Sequence, residues 1–194
     1  MPTRSHFPRS RMALLLVDVI NPFDFDGGAA FARKAERVAR AIERLRARAS
    51  AAGIPVIYVN DNLGKWRSDA NALVDFCTRP GMPGAPIVER LRPRKTDYVI
   101  LKATLSGFYD TPLETMLRLG AVKTVIVTGF AADNCVLFTS ADAYMRDYRL
   151  VIPRDCIGSK TTEAHRRAVR TMIELFDAET GPSTGLRLSR GKVR

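Results

Sequence analysis

Short runs of apolar residues, many of them β-branched, alternate along this chain with longer segments of helical periodicity. The apolar runs have the length of single strands and lie at 13–17, 55–59, 98–101, 124–128 and 150–152. The segments with helical spacing lie at 29–52, 70–76, 111–119, 133–146 and 162–176. Such alternation is typical of parallel sheets covered by helices on both faces. It predicts a three-layer α/β/α fold with a doubly wound, mainly parallel sheet of about five or six strands, residues 178–180 being the candidate sixth.

The formal net charge of +11 would suit a nucleic-acid-binding protein, but much of it lies at the two ends of the chain. Residues 1–11 contain three arginines and no acid, and residues 182–194 contain four basic residues and no acid, which leaves +4 for residues 12–181. Neither end carries the series of aromatic side chains on which nucleic-acid bases stack. We therefore predict one domain at 12–181, flanked by two solvated basic tails, with no nucleic-acid partner.

The apolar runs and the cysteines indicate the compartment. The runs are far shorter than the roughly 20 residues that a membrane helix needs, and no signal-peptide pattern follows the basic start. Cys77, Cys135 and Cys156 are widely spaced, so they predict neither a disulfide framework nor a zinc site. These features predict a cytoplasmic protein with no membrane partner.

Three of the predicted strands are followed by residues that could work together chemically. Asp18 follows the first strand, Lys102 the third, and Cys135 lies after the fourth strand at a predicted helix start. Ligands of parallel sheets bind outside the carboxyl ends of the strands. A helix start favours a thiolate and is expected to lower the thiol pKa. The set therefore suggests a cysteine nucleophile, an aspartate base and a lysine that stabilises charge.

Structural interpretations of the same residues remain open at this point. Polar residues commonly follow buried strands, and a buried free cysteine often packs as a small hydrophobe. Neither histidine is a good alternative base, because His6 lies in the basic tail and His165 lies on the apolar side of the last helix. Spacing alone therefore does not establish a catalytic triad.

Three stretches resemble the isochorismatase-like cysteine hydrolases, which include nicotinamidases and N-carbamoylsarcosine amidases. They are LLLVDVINPF (14–23), VILKATLSGFYDTPLE (99–114) and VIVTGFAADNCVLFTSADAYMRDY (125–148). The resemblance covers about residues 12–180 and implies that family's fold. It also implies the triad Asp18, Lys102 and Cys135, a small-molecule substrate and a homo-oligomer, either a dimer or a tetramer.

The resemblance further implies a particular backbone around the nucleophile. A cis peptide is expected between Phe130 and Ala131, and the backbone amides of Ala131 and Cys135 are expected to form the oxyanion hole. Ala132 departs from the family pattern, since many relatives have threonine there.

Nicotinamidases of this family hold a metal through an aspartate and several histidines after the second strand. The corresponding stretch here, NDNLGKWRSD (60–69), has no histidine, so we expect neither a metal nor a cofactor. The candidate substrate-binding residues are aromatic: Phe23, Trp66, Phe108 and Phe138.

These features predict a metal-independent cysteine hydrolase that cleaves a C–N bond of a small amide or ureido compound through a thioester. Three alternatives remain: hydrolysis of a vinyl ether as in isochorismatases, a non-catalytic binding protein on the same fold, and a phosphatase. The last rests on the DFDGG stretch (24–28), which does not follow its strand directly as a phosphatase loop would.

Overall fold

The computed structural model describes residues 7–67 and 69–189. Within these ranges a parallel sheet has six strands. They are β1 (Met12–Val17), β2 (Val56–Asp61), β3 (Tyr98–Lys102), β4 (Thr124–Phe130), β5 (Arg149–Val151) and β6 (Ile157–Gly158). Five of them follow the order β3-β2-β1-β4-β5, and β6 pairs with β4 beyond the end of β5.

Helices cover both faces of the sheet. They are α1 (Gly28–Ala51), α2 (Ala70–Cys77), α3 (Ala85–Arg90), α4 (Leu113–Leu119), α5 (Cys135–Tyr144) and α6 (Thr162–Phe176). The predicted three-layer α/β/α architecture is thereby confirmed. Among the described residues, no helix combines the length and hydropathy needed to cross a membrane.

The central strand β1 explains why its sequence is apolar at every position. Leu14 and Leu16 point into the core layer shared with α1, α2 and α3. Ala13, Leu15 and Val17 point into the opposite layer, shared with α4, α5 and α6. A strand that is buried on both faces has no polar side, which is why its sequence does not alternate. Side chains that follow such a strand emerge at the edge of the sheet.

The helix boundaries follow from local signals. Helix α6 begins after Thr161, whose side chain accepts a hydrogen bond from the amide of Ala164 at 3.1 Å, and ends at Asp177 in the left-handed conformation. Helix α3 was not expected from the sequence. It has six residues and buries Ile87 and Val88, a segment too short to show a helical period.

The sixth strand lies elsewhere than expected. Residues 178–180 do not form a strand, and Glu179 makes only an isolated bridge with Val151. The sixth strand is instead Ile157–Gly158, which has two residues and pairs with the end of β4. A two-residue strand carries no periodicity, so the sequence could not reveal it.

In the described parts of both ends, Arg9, Arg11 and Arg187 are exposed, as predicted for solvated tails, but other residues of these segments pack against the domain. Phe7 is buried, and the amide of Ser10 donates to the carbonyl of Gly120 at 2.9 Å. At the other end, Ser183 is buried, and its amide and hydroxyl donate to the two carboxylate oxygens of Asp155 at 2.7 and 2.6 Å. Apolar and hydrogen-bonding residues among the arginines tie these segments to the domain.

Candidate active site

The side chains of Asp18, Lys102 and Cys135 meet at the carboxyl edge of the sheet. Lys102 Nζ lies 2.9 Å from Asp18 Oδ2 and 3.4 Å from Cys135 Sγ. The three residues come from the ends of β1 and β3 and the start of α5, which are far apart in sequence. The ammonium therefore contacts both a carboxylate and a thiol.

This cluster is almost closed to solvent. The exposed fractions are 1% for Lys102, 5% for Asp18 and 9% for Cys135. Burial penalises a carboxylate and raises the pKa of Asp18, although the Lys102 ammonium and hydrogen bonds from Cys135, Lys102 and the Asp61 amide act in the opposite direction. Asp18 is thereby a stronger base than an exposed aspartate.

Lys102 stays charged in spite of its burial. Desolvation alone would lower its pKa, but the negative charge of Asp18, with further contributions from Cys135 and Asp61, outweighs that effect and raises it. Its ammonium also donates to the carbonyl of Thr104 at 2.9 Å, and Asp61 Oδ2 lies 3.7 Å away. Lys102 is therefore a fixed positive charge held by several oxygens.

The thiol differs from the sequence-based expectation. Burial, followed by the negative charge of Asp18, raises the pKa of Cys135 to about 12, and the contribution of Lys102 lowers it only in part. The expected lowering of the pKa at the helix start is therefore wrong for this site. Cys135 is a protonated thiol near neutral pH, and its conversion to a thiolate requires a base in direct contact.

Two neighbouring residues on β2 hold Asp18 in place. The amide of Asp61 donates to Asp18 Oδ1 at 2.6 Å. The fully buried side chain of Asn60 accepts from the amide of Ile20 and donates to its carbonyl, both at 2.9 Å. Asp18 itself has a φ of 49°, in the left-handed region. These contacts fix the turn that aims the carboxylate at Lys102.

Sequence reasoning missed Asn60, Asp61 and Thr104 as neighbours of the site. In the sequence, Asn60 and Asp61 stand at the start of the stretch that follows the second predicted strand, with nothing that assigns them to the site. The one available signal was an asparagine that follows an apolar run without a break, because a fully buried amide needs hydrogen-bond partners. The carbonyl of Thr104 has no side-chain signature at all.

The loop before Cys135 depends on a close approach of two strands. Gly129 has a φ of 115°, and a Cβ atom there would lie 1.9 Å from the carbonyl oxygen of Val17. The peptide bond between Phe130 and Ala131 is cis, as predicted. Within the described ranges, the amides of Ala131 and Cys135 donate no hydrogen bond. Two backbone donors of the segment that leads into α5 are thus unengaged.

The aromatic candidates occupy different environments. Phe23 is 1% exposed and packs edge-on against Phe31 and Phe130, so it lies in the core. Phe108 is also buried, whereas Phe138 on α5 is half exposed. Trp66 is 79% exposed. The structure therefore does not bring these four aromatic residues together around one cavity.

Trp66 lines a cleft that adjoins the triad through Thr104, whose carbonyl accepts from Lys102, although none of the three triad side chains lines it. The cleft has a volume of ≈ 600 Å³, and Tyr109 and Lys65 also line it. Ala103 and Thr104, the two residues after Lys102, form part of its wall. A cleft of this size accommodates a small organic molecule.

The residues after β2 do not fit a metal site of the nicotinamidase type. Within the described ranges, no group of three or more His, Cys, Asp or Glu side chains is placed to hold a metal ion. The carboxylate of Asp61 instead accepts from the amide of Leu63 at 2.6 Å and faces the Lys102 ammonium.

Comparisons with known proteins agree with this architecture. The isochorismatase domain model matches residues 12–180. The uncharacterized isochorismatase family protein YaaI of Bacillus subtilis is 40% identical over 167 residues, covering 86% of this chain and 91% of the relative. The ureidoacrylate amidohydrolase RutB of Methylorubrum extorquens is 31% identical, with 88% and 79% covered. The crystal structure of N-carbamoylsarcosine amidase from Thermoplasma acidophilum superposes with a TM-score of 0.69 at 25% identity, covering 91% of this chain and 99% of that one. The chain therefore belongs to the isochorismatase family of hydrolases.

Proposed function

We propose that this protein hydrolyses a C–N bond of a small amide or ureido compound through a thioester on Cys135. The observation that carries the proposal is the contact of one buried ammonium, Lys102, with both Asp18 at 2.9 Å and Cys135 at 3.4 Å. The names of two relatives, a ureidoacrylate amidohydrolase and an N-carbamoylsarcosine amidase, support this class of substrate.

The first half of the reaction forms the thioester. Asp18 takes the thiol proton as Cys135 Sγ attacks the carbonyl carbon of the substrate. Because burial raises the pKa of Asp18, the carboxylate can accept this proton within the pair. Lys102 stabilises the thiolate as it develops. Protonated Asp18 then donates to the leaving nitrogen, and the C–N bond breaks with release of an amine or ammonia.

The second half releases the acid. Asp18, again a carboxylate, removes a proton from a water molecule that attacks the thioester carbonyl. The tetrahedral intermediate collapses by breaking the C–S bond, and the thiolate recovers a proton from Asp18. The amides of Ala131 and Cys135 are the proposed oxyanion hole in both halves, because they are unengaged donors in the segment that carries the nucleophile.

The cleft beside the triad is the proposed binding site of the substrate. Trp66 supplies an exposed aromatic face there, and Phe138 is a second exposed aromatic residue on the helix that begins with Cys135. Phe23 and Phe108 are buried and do not line this cleft. The homo-oligomer and the cytoplasmic location stay predictions.

A substrate screen tests the proposal. Small amides and ureido acids are incubated with the protein and ammonia release is followed. Cys135→Ala is expected to lose turnover by a factor of about 10³ or more. The matched control is Cys77→Ala, which removes another buried cysteine and keeps the activity. Undiminished turnover in Cys135→Ala would rule out the covalent route.

Hydrolysis of a vinyl ether is the second candidate function. It is favoured by one observation, the raised pKa of Asp18, which also suits a general acid that protonates a carbon or an ether oxygen. That reaction does not need the thiol. Isochorismate cleavage that survives Cys135→Ala and disappears in Asp18→Asn would identify it.

A further inference from the structure

A second cavity lies away from the triad, between the first turns of α1 and the connection from β6 to α6. Its volume is ≈ 460 Å³, and none of Asp18, Lys102 and Cys135 lines it. Gly158 forms part of its wall, and the carbonyl of the same residue accepts from the amide of Ala132 at 2.7 Å. This groove therefore touches the backbone that supports the nucleophile loop, but not the triad itself.

The floor of the groove is apolar. Phe31, Ala35 and Val38 supply one side from α1, spaced four and three residues apart on one helix face, and Ile157 supplies the other from β6. Such a surface binds an aromatic ring or a short aliphatic chain through burial of apolar area.

The rim of the groove is positively charged. Lys34, Arg37 and Arg154 line it, and all three are exposed. Within the described ranges none of the three forms an ion pair. The acid among the lining residues, Asp155, already accepts two hydrogen bonds from Ser183. Three unpaired cations around one groove raise its potential and attract an anion.

Two further polar features, a helix N-terminus and a serine, line the same region. The N-terminus of the 15-residue helix α6 contributes the capping residue Thr161 and the first helical residue Thr162 to the wall, and a helix N-terminus favours negative charge. Ser159 also lines the groove and is 8% exposed. Its Oγ is one of two buried side-chain atoms, with Arg46 Nε, that have no hydrogen-bond partner among the described residues. A buried hydroxyl without a partner is costly, so the wall of the groove contains an unsatisfied polar group.

We propose that this groove is a binding site for a small organic anion with an apolar body, such as an aromatic carboxylate or an aromatic phosphate monoester. The apolar body packs on Phe31 and Val38, and the anionic group lies among Lys34, Arg37 and Arg154. This site is independent of the proposed hydrolysis, since it shares no side chain with the triad.

Calorimetric titration of the full chain tests the proposal. The probes are 1-naphthyl phosphate and 2-naphthoate, with neutral 1-naphthol and inorganic phosphate as comparisons. Both aromatic anions are expected to bind, and each comparison compound, which lacks either the charge or the ring, is expected to bind at least about tenfold more weakly. The affinity of the aromatic anions falls as NaCl is added, because salt screens charges at the surface.

A pair of charge-matched variants locates the site. The groove variant Lys34→Gln/Arg37→Gln/Arg154→Gln is expected to bind 1-naphthyl phosphate at least about tenfold more weakly. The control variant Arg33→Gln/Arg67→Gln/Arg170→Gln removes the same charge from exposed residues outside the groove and changes the affinity less than about twofold. Equal losses in both variants, no loss in the groove variant, or equal binding of 1-naphthol would overturn the proposal.

Discussion

The buried thiol of Cys135 governs how the site responds to pH. Because burial and Asp18 raise its pKa to about 12, the thiolate is scarce at neutral pH and becomes more abundant as pH rises. We expect alkylation of Cys135 by iodoacetamide to accelerate about tenfold per pH unit between about pH 7 and about pH 10. Mass spectrometry measures the rate, with fully buried Cys77 and Cys156 as internal controls. A plateau near neutral pH would instead indicate a preformed thiolate.

Asn60 is the residue on which the Asp18 turn depends. Its side chain makes two buried hydrogen bonds to the backbone of Ile20, and replacement by alanine leaves that amide and that carbonyl without partners. We expect Asn60→Ala to lower the free energy of unfolding by about 2–4 kcal/mol, as measured by urea denaturation. Asn71→Ala, at an exposed position in α2, is the control and changes stability by less than about 0.5 kcal/mol. Equal stability of the two variants would contradict this role.

At the scale of elements, the pairing of β1 with β4 determines where the carboxylate and the nucleophile loop meet. Gly129 pairs with Val17 near the carboxyl ends of the two strands. A Cβ atom on Gly129 would overlap the Val17 carbonyl. We expect Gly129→Ala to destabilise the fold by more than about 3 kcal/mol in thermal or urea unfolding, because neither its backbone angle nor the space accommodates a side chain. Gly181→Ala is the matched control, since no atom lies within 4 Å of its added Cβ. A fully stable Gly129→Ala protein would show that the strands can separate at no cost.

In the whole molecule, residues 182–189 form hydrogen bonds both with α1 and with the loop that connects β5 to β6. Arg48 of α1 donates to the carbonyls of Ser183 and Leu186 at 2.7 and 2.6 Å, and Ser183 bonds to Asp155. We expect deletion of residues 182–194 to cost about 2–4 kcal/mol of stability in urea unfolding. Deletion of 190–194 alone removes three basic residues but none of these contacts, and is expected to leave stability unchanged. Equal effects of the two deletions would assign the loss to charge.

The sheet and most helices could be predicted because their signals are local. An unbroken apolar run identifies a strand buried on both faces, and spacing of three and four residues identifies a helix face. The same signals placed Asp18 and Lys102 directly after two of the predicted strands. Strand β6 and helix α3 escaped prediction because two and six residues are too few to display a period.

The α/β class, and the polar residues that follow the strands, can be read from the order of residues along the chain. The contacts of Lys102 with Asp18 and Cys135, the raised pKa of the buried thiol and the core position of Phe23 arise instead from packing in three dimensions. The grouping of basic residues from α1 and Arg154 around one groove arises in the same way. These properties depend on which distant segments exclude water from one another, and this is settled only when the sheet and its helices pack together.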